Sequence, residues 1–309
     1  MPANTCPFVP AASTNRRLKL FLWGDSGDGK TTLSLQFPRP AVIDLEGGTE
    51  HYGSRYDFEV LKATSADEVS AAVDWLLAHP HDYCTLVLDP ITIFWESLQA
   101  KWSDIFMRRN KSSKGHHLEY YSLQAKDWMS IKAEWKELVR KLIALDMNVI
   151  VTARQKALYA DNGFMRSIGE TFDGEKSLPY LFDSILRLYR DDKGRYMAEN
   201  LKDRSGKLPK GHFEVSYEVI ERALGEESLA RPAVPLQLVT AEQLQELHLL
   251  IHAAGVTPAV LSDRLAAYGA TRLEDLTAEN ADLIIGKLQT AVGAHTPPAT
   301  TPVTEDDHA

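Results

Sequence analysis

The chain has 309 residues, 44% hydrophobic and 25% charged, a balance that suits one sizeable α/β core and a small second domain. No apolar run approaches the roughly 20 residues of a spanning helix, and the opening MPANTCPFVPAAS lacks the layout of a secretory signal, so a cytoplasmic protein with no membrane role is expected. Cys6 and Cys84, far apart and without a CxxC pair, exclude a disulfide framework or a zinc ribbon. The net charge of −9 is uneven, since residues 211–309 hold 15 acids and 5 bases while Lys101–Lys156 holds 12 bases and 6 acids.

Residues 1–16 carry three prolines and read as a flexible arm before a strand at Leu18–Trp23. A Gly-rich turn follows, then a helix beginning near Lys30. Ala41–Leu45 reads as a second strand, Ala66–Ala78 as a helix stopped by His79-Pro80, and Thr85–Asp89 as a buried strand. The spacing of Trp128, Ile131, Trp135, Leu138, Val139 and Leu142 predicts an amphipathic helix running into a buried strand at Asn148–Ala153. Strands alternating with helices imply a parallel sheet covered on both faces. Arg154–Lys176, with Gly163, Gly169, Gly174 and several charges, predicts a long loop, functional or disordered. Ser184–Tyr189 and Tyr196–Leu201, joined by Asp191-Asp192-Lys193-Gly194, predict a hairpin. These elements form a core at 17–235. A small all-α domain at 239–293 follows, with Thr240, Thr257-Pro258 and Thr277 at its helix starts and Leu244, Leu247, Leu250 and Ile251 on an apolar face. The Thr-, Pro- and Asp-rich stretch 294–309 predicts a disordered tail.

Gly24-Asp25-Ser26-Gly27-Asp28-Gly29-Lys30-Thr31 satisfies the GxxxxGK[ST] pattern between a strand and a helix, where backbone N–H groups can wrap phosphates. Lys30 would reach the β- and γ-phosphates of ATP, Thr31 would ligate Mg2+, and Thr32 would support the α-phosphate side. Asp89, closing an apolar strand, occupies the place of a carboxylate that holds the metal beside Thr31. Glu46 lies just past the second strand and is the candidate general base, with Asp44 inside the strand as the alternative. Thr152 and Arg154 are candidates for sensing the γ-phosphate. Lys202 and Arg204 read either as cations reaching ATP on a neighbouring subunit or as a solvated turn. Arg108, Arg109, Lys111 and Lys114 precede Tyr120, Tyr121 and Trp128, the mixture of charge and rings that single-stranded nucleic acid takes; a flexible polar insertion would look alike.

Together these motifs resemble the RecA-like recombinase ATPases, most closely the small phage-encoded members associated with single-strand annealing and recombination. The likeness runs from Leu18 to Pro209: GDSGDGKTT matches the P-loop, VIDLEGG the strand ending in the catalytic glutamate, and TLVLDP the Walker B strand. The resemblance implies a P-loop NTPase with a mostly parallel sheet flanked by helices and a C-terminal all-α domain. It also implies DNA-stimulated ATP hydrolysis with Mg2+, single-stranded DNA as partner, a homo-oligomer, and the host cytoplasm as location. Gly174-Glu175-Lys176-Ser177-Leu178-Pro179-Tyr180 is similar to the segment leaving the second DNA loop, which puts Lys156, Tyr159, Phe164 and Arg166 in that loop. Lys202 and Arg204 then match the cations that act across the subunit interface. Val151-Thr152-Ala153-Arg154 departs from the Asn-Gln pair that many recombinases carry at this strand end. The acidic helical domain suggests a protein contact. A P-loop kinase for a nucleoside or small molecule is the rival enzyme reading. A nucleotide-dependent switch is the third, and the chain has no Asn-Lys-x-Asp run to read guanine.

Overall fold

The computed structural model describes residues 17–109, 123–159, 166–233, 238–268, 270 and 272–294. The expectations for the arm at 1–16, for Lys111, Lys114 and Phe164, and for the tail lie outside the described residues. Contacts divide the chain into two compact units, Ala12–Pro235 and one that contains Leu236–Ala309.

The first unit begins with β1 (Lys19–Gly24), α1 (Lys30–Ser34), β2 (Pro40–Asp44), β3 (Glu59–Lys62), α2 (Ala66–Ala78), β4 (Thr85–Asp89), α3 (Ile91–Arg109) and α4 (Trp128–Ala144). It continues with β5 (Asn148–Tyr159), β6 (Ser167–Phe172), α5 (Leu178–Leu181), β7 (Ser184–Arg190), β8 (Tyr196–Asp203), β9 (Gly211–Glu214), α6 (Tyr217–Leu224) and α7 (Glu226–Ala230). Eight strands lie in the order β3-β2-β4-β5-β1-β7-β8-β9, and β6 pairs with the far end of β5. The pairs from β3 to β7 are parallel, β8 and β9 return antiparallel, and β6 is antiparallel to β5.

Covering both faces of the sheet explains why its central strands are continuous apolar runs. Phe21, Trp23, Leu86, Leu88, Val149 and Val151 face one core with Val69, Val73, Phe94, Ile131, Trp135 and Leu138 from α2, α3 and α4. Their strand neighbours Leu20, Leu22, Val87 and Ile150 face the other, with Leu33, Phe37, Ile220 and Leu229. α2 starts where its sequence says: the Ser65 hydroxyl accepts from the Glu68 N–H at 3.2 Å, and the Glu68 carboxylate accepts from the Thr64 N–H at 2.7 Å.

The structure corrects one expectation. Arg154–Lys176 is not a structureless loop: β5 continues to Tyr159, and β6 folds back along it from Ser167 to Phe172. The pattern was hidden because this hairpin stands clear of the core, with Leu158, Tyr159 and Ile168 all exposed, so burial imposes no alternation.

The second unit comprises α8 (Ala241–Ala253), α9 (Pro258–Ala267) and α10 (Ala278–Ala294). Thr240 and Gln243 form a capping box, and Leu247, Leu265, Leu273, Leu276, Ala281 and Ile285 make its core. No helix among the described residues is long and apolar enough to cross a membrane.

At the amino edge of the sheet two cations are buried. Arg17 pairs with Asp146 at 2.9 Å and donates to the carbonyls of Arg231 and Pro232. Lys19 Nζ donates to the carbonyls of Leu142, Leu145 and Met147 at 3.1, 2.8 and 3.0 Å, closing the end of α4. Burial draws the Lys19 ammonium down from 10.5 to about 7, against the attraction of Asp146. The unfolded chain holds this proton well above neutrality while the folded chain releases it near pH 7, so folding gains as pH climbs through that window. Urea unfolding at pH 7 and 9.5 should therefore show the wild type gaining stability relative to Lys19→Met as pH rises. A pH-independent difference would mean that the folded protein keeps the proton.

Candidate functional site

The site is built at the carboxyl edge of the parallel strands, where α/β sheets present loops to ligands. β1 ends at Gly24 between β5 and β7, with Gly24 level with Arg154 and Trp23 level with Arg187. A side chain at Gly24 would place its Cβ 2.4 Å from the Leu188 carbonyl oxygen, so the loop can leave the sheet here only as glycine. Gly29, at φ +88°, caps α1, and an added Cβ would lie 2.8 Å from the Tyr196 ring.

Within the loop, Asp25 N–H donates to the Asp28 carboxylate at 2.7 Å and Ser26 N–H to the Asp25 carboxylate at 2.8 Å. Lys30 folds over the loop, its Nζ donating to the carbonyls of Gly24 and Asp25 at 3.0 and 2.7 Å. Burial lowers the Lys30 pKa despite Asp89, Asp28, Asp25 and Glu46 nearby, and burial raises that of Asp28. Thr32, half-buried, follows on α1.

Asp89 is buried, and two hydroxyls hold it: Thr31 Oγ1 donates to one carboxylate oxygen at 2.5 Å and Thr152 Oγ1 to the other. Burial raises its pKa against those two hydrogen bonds. Thr31 and Asp89, predicted as a pair, thus converge across 58 positions of sequence. A hydroxyl beside a carboxylate is the all-oxygen set that a hard divalent cation takes, so the residues fit Mg2+.

Asp44 and Glu46 differ in kind. Asp44 is buried, and its carboxylate accepts from the N–H groups of Glu46, Gly47 and Thr49 and from the Thr49 hydroxyl. Burial alone would raise its pKa, but the four hydrogen bonds outweigh it and hold the carboxyl below the ordinary value. It shapes the turn that presents Glu46. The Glu46 carboxylate is partly exposed and ion-paired with Arg154, Nε donating at 2.6 Å. Arg154 N–H in turn donates to the Thr92 hydroxyl at 3.0 Å, which donates to the Asp173 carbonyl at 2.7 Å. The geometry therefore gathers Lys30, Thr31, Glu46, Asp89, Thr152 and Arg154 at one edge.

Other predicted residues lie elsewhere. Lys202 donates to the carbonyls of Pro179 and Phe182, and Arg204 pairs with Asp183 at 3.0 Å. Lys202 near the end of β8 and Arg204 just past it lie toward Ser184, the start of β7, so they are not brought to this chain's own P-loop. Lys156 pairs with Asp173 at 2.8 Å, and Tyr159 and Arg166 are exposed on the β5–β6 hairpin. Arg108, paired with Asp104, and Arg109 are exposed at the end of α3.

Two residues at the loop escaped the sequence reading. Arg190 Nε donates to the Gly27 carbonyl at 3.1 Å, and its guanidinium lies 4.4 Å from the centre of the Tyr196 ring. Their nearness to the P-loop follows from β7 pairing with β1, which only a hairpin beside the first strand could have hinted at.

No curated protein matches the sequence. A family model described as an AAA domain matches residues 16–207, more than half of the chain. The match covers the P-loop, the Asp89 strand and the β7–β8 hairpin, and the protein belongs to this AAA domain family of P-loop ATPases.

Proposed function

We propose that the protein is a Mg-ATP-hydrolysing ATPase of the recombinase type that grips single-stranded DNA through the β5–β6 hairpin and acts as a homo-oligomer in recombination or annealing. One observation carries this reading. β5 is a single strand whose alternate residues Thr152, Arg154 and Lys156 touch Asp89, Glu46 and Asp173 in turn before Tyr159 reaches the exposed hairpin. Nucleotide site and hairpin therefore share one rigid element.

In this reading Thr31 and Asp89 would hold Mg2+, which when bound would offset negative charge on the phosphates. Lys30 releases the Gly24 and Asp25 carbonyls to reach the β- and γ-phosphates. Glu46 orients the attacking water and takes its proton, and Arg154 controls when the Glu46 carboxylate is free to do so. Lys202 and Arg204, set toward the start of β7, act in this reading on the ATP of a neighbouring subunit. On the hairpin, exposed Tyr159 supplies a ring for a base, while Lys156 and Arg166 supply charge for phosphates. Arg108 and Arg109, exposed at the end of α3, add further positive charge for phosphates in this reading. The acidic helical domain is the proposed protein-binding part.

Hydrolysis by the purified protein with and without single-stranded DNA, at low and moderate salt, tests the reading; stimulation that weakens as salt rises is expected. Phosphate transfer to an added acceptor would instead identify a kinase, and tight nucleotide binding without turnover a switch. Lys30→Ala should abolish nucleotide binding, and retention of it would sink the P-loop assignment. Glu46→Gln should bind ATP normally and lose about 100-fold or more in turnover, as expected when a general base is removed. Arg154→Ala should raise hydrolysis without DNA and flatten its dependence on DNA; unchanged dependence would remove Arg154 from the coupling.

A further inference from the structure

We infer that Arg190 and Tyr196 form the platform on which the nucleobase of ATP stacks. This rests on the nucleotide-site reading above and names a subsite of it. The argument is one of flanks. Thr31, Asp89, Glu46 and Arg154 lie on the side of β1 built by β5, β4 and β2. The metal-holding pair Thr31 and Asp89 and the candidate general base Glu46 both serve the terminal phosphate, so that end of the triphosphate would lie toward this side. The nucleoside, at the other end of the chain of phosphates, leaves toward the opposite side, where β7 and β8 rise next to the loop.

What stands there is a built surface. Arg190 and Tyr196 are directly paired across the β7–β8 ladder. The guanidinium lies over the Tyr196 ring, donates to its hydroxyl at 2.5 Å and, through Nε, to the Gly27 carbonyl. The ring is packed so closely on Gly29 that no side chain fits between them, which ties it to the loop that wraps the phosphates. Tyr196 is nevertheless 38% exposed and so remains accessible to a ligand. A flat ring and a planar cation, fixed beside a phosphate loop and open to solvent, are suited to the π-face of a base. The competing explanation is that Arg190 only offsets Asp28, whose carboxylate it attracts, and keeps the loop in shape.

Calorimetric titration of the full-length protein with a non-hydrolysable ATP analogue and with inorganic tripolyphosphate, both with Mg2+, separates these explanations. Tyr196→Ala should weaken the ATP analogue about tenfold or more and leave tripolyphosphate unchanged, because loss of one base stack is felt only by the ligand that has a base. Tyr196→Phe should bind both as the wild type does. Tyr196→Leu, which keeps apolar bulk against Gly29 without a π-face, should behave as Tyr196→Ala and decides the matter if the alanine variant does not fold. Equal weakening of both ligands by the leucine variant, or no weakening of the ATP analogue, overturns the platform while leaving the nucleotide site intact. Failure of the wild type to bind either ligand overturns the nucleotide site itself, and the platform with it.

Discussion

The placement of β1 between β5 and β7 is the constraint on which the site depends. Both pairings are parallel, and both cover the strand up to its last residues, Trp23 and Gly24. The chain must therefore leave the sheet beside the Leu188 carbonyl, through a gap that only glycine fits. The same pairing sorts the chemistry. Acids and hydroxyls reach the loop from β2, β4 and β5 on one flank, and an arginine and a tyrosine reach it from β7 and β8 on the other. Burial on both faces makes this arrangement rigid, since the strand ends inherit their positions from a core that includes Phe21, Leu22, Val87 and Val151.

β5 joins the site at the sheet edge to the exposed β5–β6 hairpin. Its first half is buried and its second half is exposed, so one strand is both core and surface. Period-two geometry sends Thr152, Arg154 and Lys156 to the same side, where each meets a different carboxylate. A shift of β5 by a fraction of a residue would alter all three contacts together. The charge on Arg154 gives it a stronger hold on Glu46 than a neutral side chain would have.

Legibility in the sequence followed burial. The strands at Thr85–Asp89 and Asn148–Ala153 and the helix at Ala66–Ala78 were readable because water is excluded from one or both faces, which forces runs or helical spacing. The capping residues Ser65 and Thr240 act locally and leave local marks, of which Thr240 was read. β3 leaves no pattern because every residue of Glu59–Lys62 is exposed, and the β5–β6 hairpin leaves little because most of its residues are. Thr31, Asp89 and Glu46 are legible through motif position, Thr31 and Asp89 as a pair. The contacts made from β5 are beyond reach, because Glu46 meets Arg154 across 108 positions and Thr152 meets Asp89 across 63. Arg190 and Tyr196 look like ordinary hairpin residues until the strand order sets them against the loop.

The electrostatics of the loop follow from its own composition. Asp25 and Asp28 put two carboxylates into a turn whose task is to attract phosphate, and those carboxylates already take the N–H groups of Asp25 and Ser26. A triphosphate must displace or outbid them, which it can do only where positive charge is dense. Lys30 supplies that charge from within, Arg190 from one flank, and Mg2+ at Thr31 and Asp89 would supply it from the other. Acids in the loop thereby raise the positive charge that a phosphate ligand must find around it.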